Sequence, residues 1–126
     1  SGRIDPQHVL WAFREGADAV LIGGSGAFSV TVDHPFTEPL REVANRLIDE
    51  GRPLFGSCWG HQFLADLGGG RVIEDRDRAE VGTFPVELTD AGTADPLFAD
   101  FPRRFHAQLG HNDRVESLGA GWLVWA

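Results

Sequence analysis

The first two thirds of the chain alternate between short apolar runs and segments with apolar residues at helical spacing. Residues 18–22 and 53–55 are apolar runs between turn signals, which predicts two strands, the first of them buried on both faces. Helical spacing predicts helices over 8–14 and 37–48, and the apolar stripe of the second comprises Leu40, Val43, Ala44, Leu47 and Ile48. A further amphipathic helix is predicted after the second run, ending at the glycines 68–70.

The last third of the chain is rich in strand patterns. Residues 81–88 alternate, and Pro85 makes this an edge or bulged strand. Short strands are also predicted at 71–73, 103–108 and 122–125, a capped turn at 95–98 and a polar loop at 110–115. Together these patterns predict an α/β fold with a mostly parallel sheet flanked by helices and a β-rich C-terminal third.

Composition narrows the class of protein. The chain has 126 residues, enough for one domain with a hydrophobic core. A formal charge of −8 argues against nucleic-acid or membrane-surface partners, and no apolar run reaches transmembrane length. One cysteine excludes an internal disulfide framework, and with no signal peptide in view a reducing, cytoplasmic location is expected.

The single cysteine, Cys58, lies between Gly56 and Gly60 where the second predicted strand turns into a helix. Residues on so sharp a turn are held in a strained conformation, with the side chain at the carboxyl edge of the sheet. A helix N-terminus also stabilises a thiolate. The plain alternative is a small buried apolar side chain. The strand–glycine–helix context favours a nucleophile.

A glycine cluster at 23–26 follows the first predicted strand. It can bring backbone N–H groups close to a ligand at the carboxyl end of the sheet, although a flexible loop is the simpler interpretation. The segment has no Walker lysine and no dinucleotide fingerprint, so no nucleotide cofactor is expected. One cysteine and scattered histidines give no zinc-ligand spacing, so no metal is expected either.

The segment Gly56-Ser-Cys-Trp-Gly-His-Gln62 resembles the Gly-x-Cys-x-Gly-x-Gln elbow of the class I (triad-type) glutamine amidotransferases. Further segments resemble the family in the family's order, and the last of them is similar to the His-x-Asp-x-Val of GMP-synthetase-like members: 18–24, 67–72, 80–82, 95–98 and 111–115. The resemblance covers nearly the whole chain, and it implies a flavodoxin-like sheet.

The resemblance implies that Cys58 attacks the side-chain amide of glutamine and forms a γ-glutamyl thioester. Backbone N–H groups of Gly24 and Trp59 would form the oxyanion hole. Gln62 and the backbone around His111, Asn112 and Asp113 match positions that hold the amino-acid end of the substrate. A helix-turn cap is the plain alternative for Gln62. The ammonia released would pass to a synthetase domain or subunit.

The sequence departs from the family in the residues that supply the catalytic general base. The family places its histidine and glutamate in a Gly-x-Gln-x-His-Pro-Glu stretch, and no such stretch occurs among these 126 residues. His111 aligns with the substrate segment, and His106 alternates within a predicted strand. The expectation is therefore a single partial domain over 1–126, trimmed at both ends and slow or inactive with glutamine. The alternative is a natural variant in which His111 is the base.

Two other classes of protein stay open on the sequence alone. One is a different cysteine hydrolase on the same sheet, such as a γ-glutamyl peptidase or a DJ-1-like protein. The other is a non-catalytic pseudo-enzyme that binds glutamine or a partner.

Overall fold

The computed structural model describes residues 16–24, 29–122 and 125. In this part of the chain three helices alternate with six strands: β1 (Val20–Ile22), α1 (Thr37–Asp49), β2 (Leu54–Gly56), α2 (Trp59–Leu67), β3 (Arg71–Glu74), β4 (Glu80–Glu87), α3 (Asp90–Ala94), β5 (Arg104–His111) and β6 (Asp113–Ser117). The helix predicted at 8–14 lies outside the described residues, and the strand predicted at 122–125 lies only partly within them.

The strands form three pairs within the described ranges. β1 and β2 are parallel, with Ile22 opposite Gly56, whereas β3–β6 and β4–β5 are antiparallel. Helices and strands of both kinds confirm the mixed α/β class and the β-rich last third. The mostly parallel, flavodoxin-like sheet stays a prediction, because one parallel pair does not establish it.

The core lies between α1, α2 and the β1–β2 pair. Its buried members are apolar or aromatic side chains from these elements and from the segment before α1: Ile22, Val30, Leu40, Ala44, Trp59, Phe63 and Leu64. Four residues of the predicted α1 stripe are buried, which confirms that face. Ile48 is 41% exposed, and its assignment to the stripe is wrong. At about 100° per residue, Leu40, Val43, Ala44 and Leu47 form one face of the helix, and Ile48 lies beyond the edge of that face.

The prediction that β1 is buried on both faces is also wrong. Ile22 is 7% exposed, but Leu21 is 66% exposed. Side chains alternate between the faces of a strand, and only the face carrying Ile22 packs into the core described above.

The polar loop predicted at 110–115 is replaced by two strands. β5 continues to His111, which pairs with Glu80 of β4, and β6 begins at Asp113, which pairs with Glu74 of β3. Only Asn112 separates them. The chain changes partner strand at this point, and the ladder hydrogen bonds on both sides override the polar composition.

Two smaller predictions are confirmed. In the described part of the chain, β4 pairs on one side only, with β5, so Pro85 lies on an edge strand. The Asp95 side chain accepts a hydrogen bond from the Leu97 N–H at 2.9 Å and caps a single 3₁₀ turn over Pro96–Phe98.

Candidate active site

The parallel pairing of β1 and β2 brings two turns to one edge of the sheet. Because Ile22 and Gly56 are opposite each other, Gly23 and Gly24 leave β1 where Ser57 and Cys58 leave β2. The Ser57 N–H donates a hydrogen bond of 2.9 Å to the Ile22 carbonyl and ties the two turns together. This is the carboxyl edge, where open α/β sheets bind ligands.

Cys58 has backbone angles of φ 53° and ψ −112° and precedes the first residue of α2. Among the described residues it is the only one other than glycine with positive φ. Such a conformation costs roughly 1–3 kcal/mol and persists only where the surrounding structure imposes it. The residue is exposed, so the thiol is not a buried apolar group. The structure thus has the sharp strand-to-helix turn that the sequence predicts, with Cys58 strained and exposed.

Two glycines make the sharp turn possible. A Cβ on Gly60 would lie 2.0 Å from the Ile22 carbonyl oxygen, and a Cβ on Gly56 would lie 2.5 Å from the Gly60 carbonyl oxygen. Both distances are far below van der Waals contact. The first turn of α2 therefore packs directly on the ends of β1 and β2, which only glycine permits.

Trp59, directly after the cysteine, anchors the other side of the turn. Its ring is stacked on Phe63, with centroids 5.2 Å apart, and meets the ring of Phe36 edge-on at 5.8 Å. The side chain is buried in the core, so the backbone N–H of Trp59 is held at a fixed place beside Cys58.

Gly24 lies against the cysteine. A Cβ on Gly24 would be 2.9 Å from the Cys58 Cβ and 3.3 Å from Sγ. Within the described ranges, no hydrogen bond uses the backbone N–H of Gly24 or of Trp59. The thiol is thus flanked by two turns whose N–H groups have no protein acceptor there, an arrangement suited to stabilising an oxyanion.

The contact between Gly24 and Cys58 predicts the effect of adding one methyl group. We expect Gly24→Ala to slow labelling of Cys58 by diazo-oxo-norleucine, an electrophile that mimics glutamine, by about tenfold or more, because small misplacements of reacting groups reduce rates steeply. The measurement is the rate of adduct formation by mass spectrometry.

Gly23→Ala is the matched control, since no atom of the described residues lies within 4 Å of a Cβ at that position. It should label at close to the wild-type rate. Equal rates for the two variants would show that the space beside the thiol is not part of the site.

Gln62, one helical turn after Cys58, is buried, and its Nε2 donates a hydrogen bond of 2.9 Å to the backbone carbonyl of Asp113. It therefore connects α2 to the start of β6 and does not cap its own helix. The Asp113 carboxylate is also buried and accepts a hydrogen bond from the Ser29 hydroxyl. Sequence reasoning missed Ser29, because nothing local distinguishes a serine whose partner is 84 positions away.

His111 Nε2 lies 3.0 Å from a carboxylate oxygen of Glu80, its cross-strand partner. Partial burial lowers the pKa of His61, on the exposed side of α2, and the neighbouring His111 lowers it further. Asn112 is exposed, and its carbonyl accepts a hydrogen bond of 2.9 Å from the Asp75 N–H.

The predicted site residues thus form two connected groups. Cys58, Gly24 and Trp59 meet at the sheet edge, and Gln62 links them to the segment that holds His111, Asn112 and Asp113. Glu80 belongs to this second group through His111. The motif 80–82 contains it, but the contact itself required the β4–β5 register.

A cavity of about 450 Å³ is lined by residues of β2 and α2 and by residues from later in the chain, among them Phe98, Trp122 and Trp125. Its lining is mostly apolar and aromatic, with His61 and Asp95 as polar members.

No group of three or more His, Cys, Asp or Glu side chains in the described part of the chain is arranged to hold a metal ion. None of the described helices is long and apolar enough to cross a membrane.

Comparison with known proteins identifies relatives. A family model described as Glutamine amidotransferase class-I matches residues 5–126. The GMP synthase (glutamine-hydrolyzing) of Thermosipho africanus is 32% identical over 106 residues, which is 84% of this chain and 18% of that protein. A gamma-glutamyl-L-1-hydroxyisopropylamide hydrolase from a Pseudomonas species is 32% identical over 113 residues, or 86% of this chain and 38% of that one.

Solved structures give the same fold. A glutamine amidotransferase from Thermotoga maritima superposes with a TM-score of 0.70 at 24% identity, over 81% of this chain and 44% of that chain. One from Methylobacillus flagellatus superposes with a TM-score of 0.65 at 22% identity, over 83% and 41%. This chain therefore spans less than half of these solved chains and 18% of the first GMP synthase above.

Proposed function

The chain belongs to the glutamine amidotransferase class-I family, and we propose that it hydrolyses the side-chain amide of glutamine to glutamate and ammonia through Cys58. The observation that carries this proposal is the exposed cysteine at φ 53° with Gly24 packed against its Cβ. A strained residue at the carboxyl edge of a sheet, beside N–H groups that have no acceptor among the described residues, is the arrangement that acyl transfer to a thiolate needs.

In the proposed reaction the Cys58 thiolate adds to the side-chain carbonyl carbon of glutamine, and the carbonyl oxygen becomes an oxyanion. The N–H groups of Gly24 and Trp59 donate to that oxygen. Collapse expels the amide nitrogen, which takes a proton from a general acid and leaves as ammonia. Water then adds to the γ-glutamyl thioester and releases glutamate and the thiol.

Substrate binding is assigned to the second group of residues. We propose that Gln62 and the backbone of 111–113 hold the amino-acid end of glutamine. The hydrogen bond from Gln62 to the Asp113 carbonyl supports this assignment, because it fixes the segment next to the helix that begins after Cys58. The side chain of Asn112 is exposed and free to take part.

The base is assigned to sequence outside these 126 residues, as part of the proposal that the chain is a partial amidotransferase domain. We expect this chain to release ammonia from glutamine slowly or not at all. A version extended through its native downstream sequence should be faster by about 10²-fold or more, since a positioned base typically contributes 10²–10⁴-fold. The measurement is ammonia release under saturating glutamine.

Equal activity in the two versions would overturn this assignment and favour His111 as the base, with Glu80 as its orienting carboxylate at 3.0 Å. The activity of His111→Asn distinguishes a base outside these residues from His111 as the base. If His111 is the base, this variant loses activity in both versions, whereas His106→Asn, on the exposed side of β5, keeps it.

A second candidate function is hydrolysis of a γ-glutamyl N-alkylamide. The likeness to the Pseudomonas hydrolase favours it, and the same thiol and oxyanion donors would serve, since only the leaving amine differs. The ratio of kcat/KM for glutamine and for γ-glutamyl isopropylamide decides between the two. A higher kcat/KM for the alkylamide would identify it, and not glutamine, as the substrate.

The likeness to GMP synthases leads us to propose that the ammonia is used by a synthetase domain or subunit. A pseudo-enzyme is the competing possibility, and its sign would be unchanged partner binding after Cys58→Ser together with no ammonia release from any version of the chain.

A further inference from the structure

We infer that the buried carboxylate of Asp113 is a positioning group for the oxyanion side of the site and acts through Ser29. This inference rests on the proposed function. It assigns a role to a side chain, where the resemblance to the family concerned only the backbone of this segment.

The first observation is burial. Asp113 is 8% exposed, and its carboxylate accepts a hydrogen bond from the Ser29 hydroxyl. A carboxylate removed from water is unfavourable unless it is hydrogen-bonded. One of its oxygens accepts this hydrogen bond, so the side chain is tied to another segment of the chain.

The second observation is where Ser29 lies along the chain. It is five positions after Gly24, whose Cα faces the Cys58 side chain closely enough that a Cβ would be 3.3 Å from Sγ. Val30, the next residue, is 5% exposed and packs in the core. The hydrogen bond to Asp113 therefore fixes the chain at the residue directly before the buried Val30.

The third observation is a second hydrogen bond to Asp113, this time to its backbone. The backbone carbonyl of Asp113 accepts the Gln62 amide, and Gln62 lies on the helix that begins after Cys58. Asp113 thus holds the helix that follows Cys58 through its backbone carbonyl and holds Ser29 through its side chain. This pair of hydrogen bonds adds to the Ser57–Ile22 hydrogen bond, which already ties the two turns together, in holding Gly24 beside the thiol.

We expect that removing the Ser29 hydroxyl slows the reaction of Cys58 with a glutamine analogue but not its reaction with a simple alkylating reagent. Ser29→Ala should slow labelling of Cys58 by diazo-oxo-norleucine by about tenfold or more, because that reaction uses the aligned oxyanion donors. Alkylation by iodoacetamide needs only an accessible thiol and should stay within about twofold of wild type. Asp113→Asn keeps an oxygen acceptor for the Ser29 hydroxyl, so its rate of labelling by diazo-oxo-norleucine should fall less than that of Ser29→Ala.

The full chain is used throughout, and Ser117→Ala, an exposed serine on β6, is the matched control. The double variant Ser29→Ala with Asp113→Asn should label no more slowly than Ser29→Ala alone, because both changes act on one hydrogen bond. Thermal unfolding of each variant is recorded alongside.

Two results would overturn the inference while leaving the proposed function in place. One is a Ser29→Ala rate within about twofold of wild type. The other is an equal loss with both reagents together with a lowered midpoint, which is the sign of a purely structural bond. A wild-type chain that reacts with iodoacetamide and not with the glutamine analogue overturns the proposed function itself, and this inference with it.

Discussion

Cys58→Ser is expected to abolish labelling of the chain by diazo-oxo-norleucine. The reagent alkylates a nucleophile held in a glutamine site, and a serine hydroxyl at the same place is a far weaker nucleophile than a thiolate. Removing the nucleophile of a catalytic unit typically reduces turnover by several orders of magnitude, so we expect at least about a 10³-fold fall in labelling rate. Intact-mass spectrometry measures it.

The fold should be unaffected by this change, which separates chemistry from stability. Serine has nearly the shape of cysteine, and position 58 is exposed, so the thermal midpoint of Cys58→Ser should match that of wild type. Undiminished labelling in the variant would place the reactive group elsewhere on the chain and remove Cys58 from the mechanism.

Gly60→Ala is expected to unfold the chain or nearly so. Alanine is the better helix former by about 1 kcal/mol, so helix propensity alone predicts stabilisation at this position in α2. The added Cβ would, however, lie 2.0 Å from the carbonyl oxygen of Ile22 and 2.6 Å from its carbon. Both are backbone atoms of the neighbouring strand, so no rotamer change relieves the clash.

We expect a loss of about 3 kcal/mol or more, a large part of the 5–15 kcal/mol that holds a domain of this size together. Denaturant unfolding followed by tryptophan fluorescence measures it. Gly110→Ala is the control, because nothing in the described part of the chain lies within 4 Å of a Cβ there and its φ is not positive. If both variants unfold at the same denaturant concentration, α2 does not pack on β1 as described.

The elbow was predictable from the sequence because its signals are local. A short apolar run, two glycines around a cysteine and an amphipathic segment fall within fifteen residues, and each constrains the same turn. The buried stripe of α1 was predictable for the same reason, since helical spacing is a short-range pattern.

The errors arise where long-range pairing overrides composition. The polar stretch around Asn112 becomes strand because β4 and β3 supply partners from thirty or more positions earlier. Leu21 is exposed because burial of a strand face depends on what packs there, which an apolar run does not specify. The contacts of Ser29 with Asp113 and of Glu80 with His111 follow from the same tertiary pairings.

The central claim is that the Cys58 thiol lies below two backbone N–H groups aimed at a common point. An experimental structure of the chain with the aldehyde analogue of glutamine tests it most directly, because thiol addition to the aldehyde forms a thiohemiacetal whose oxygen takes the oxyanion position. We expect that oxygen about 2.7–3.1 Å from both the Gly24 and the Trp59 nitrogen. An adduct whose oxygen faces solvent, or a thiol that forms no adduct while remaining exposed, would contradict the account.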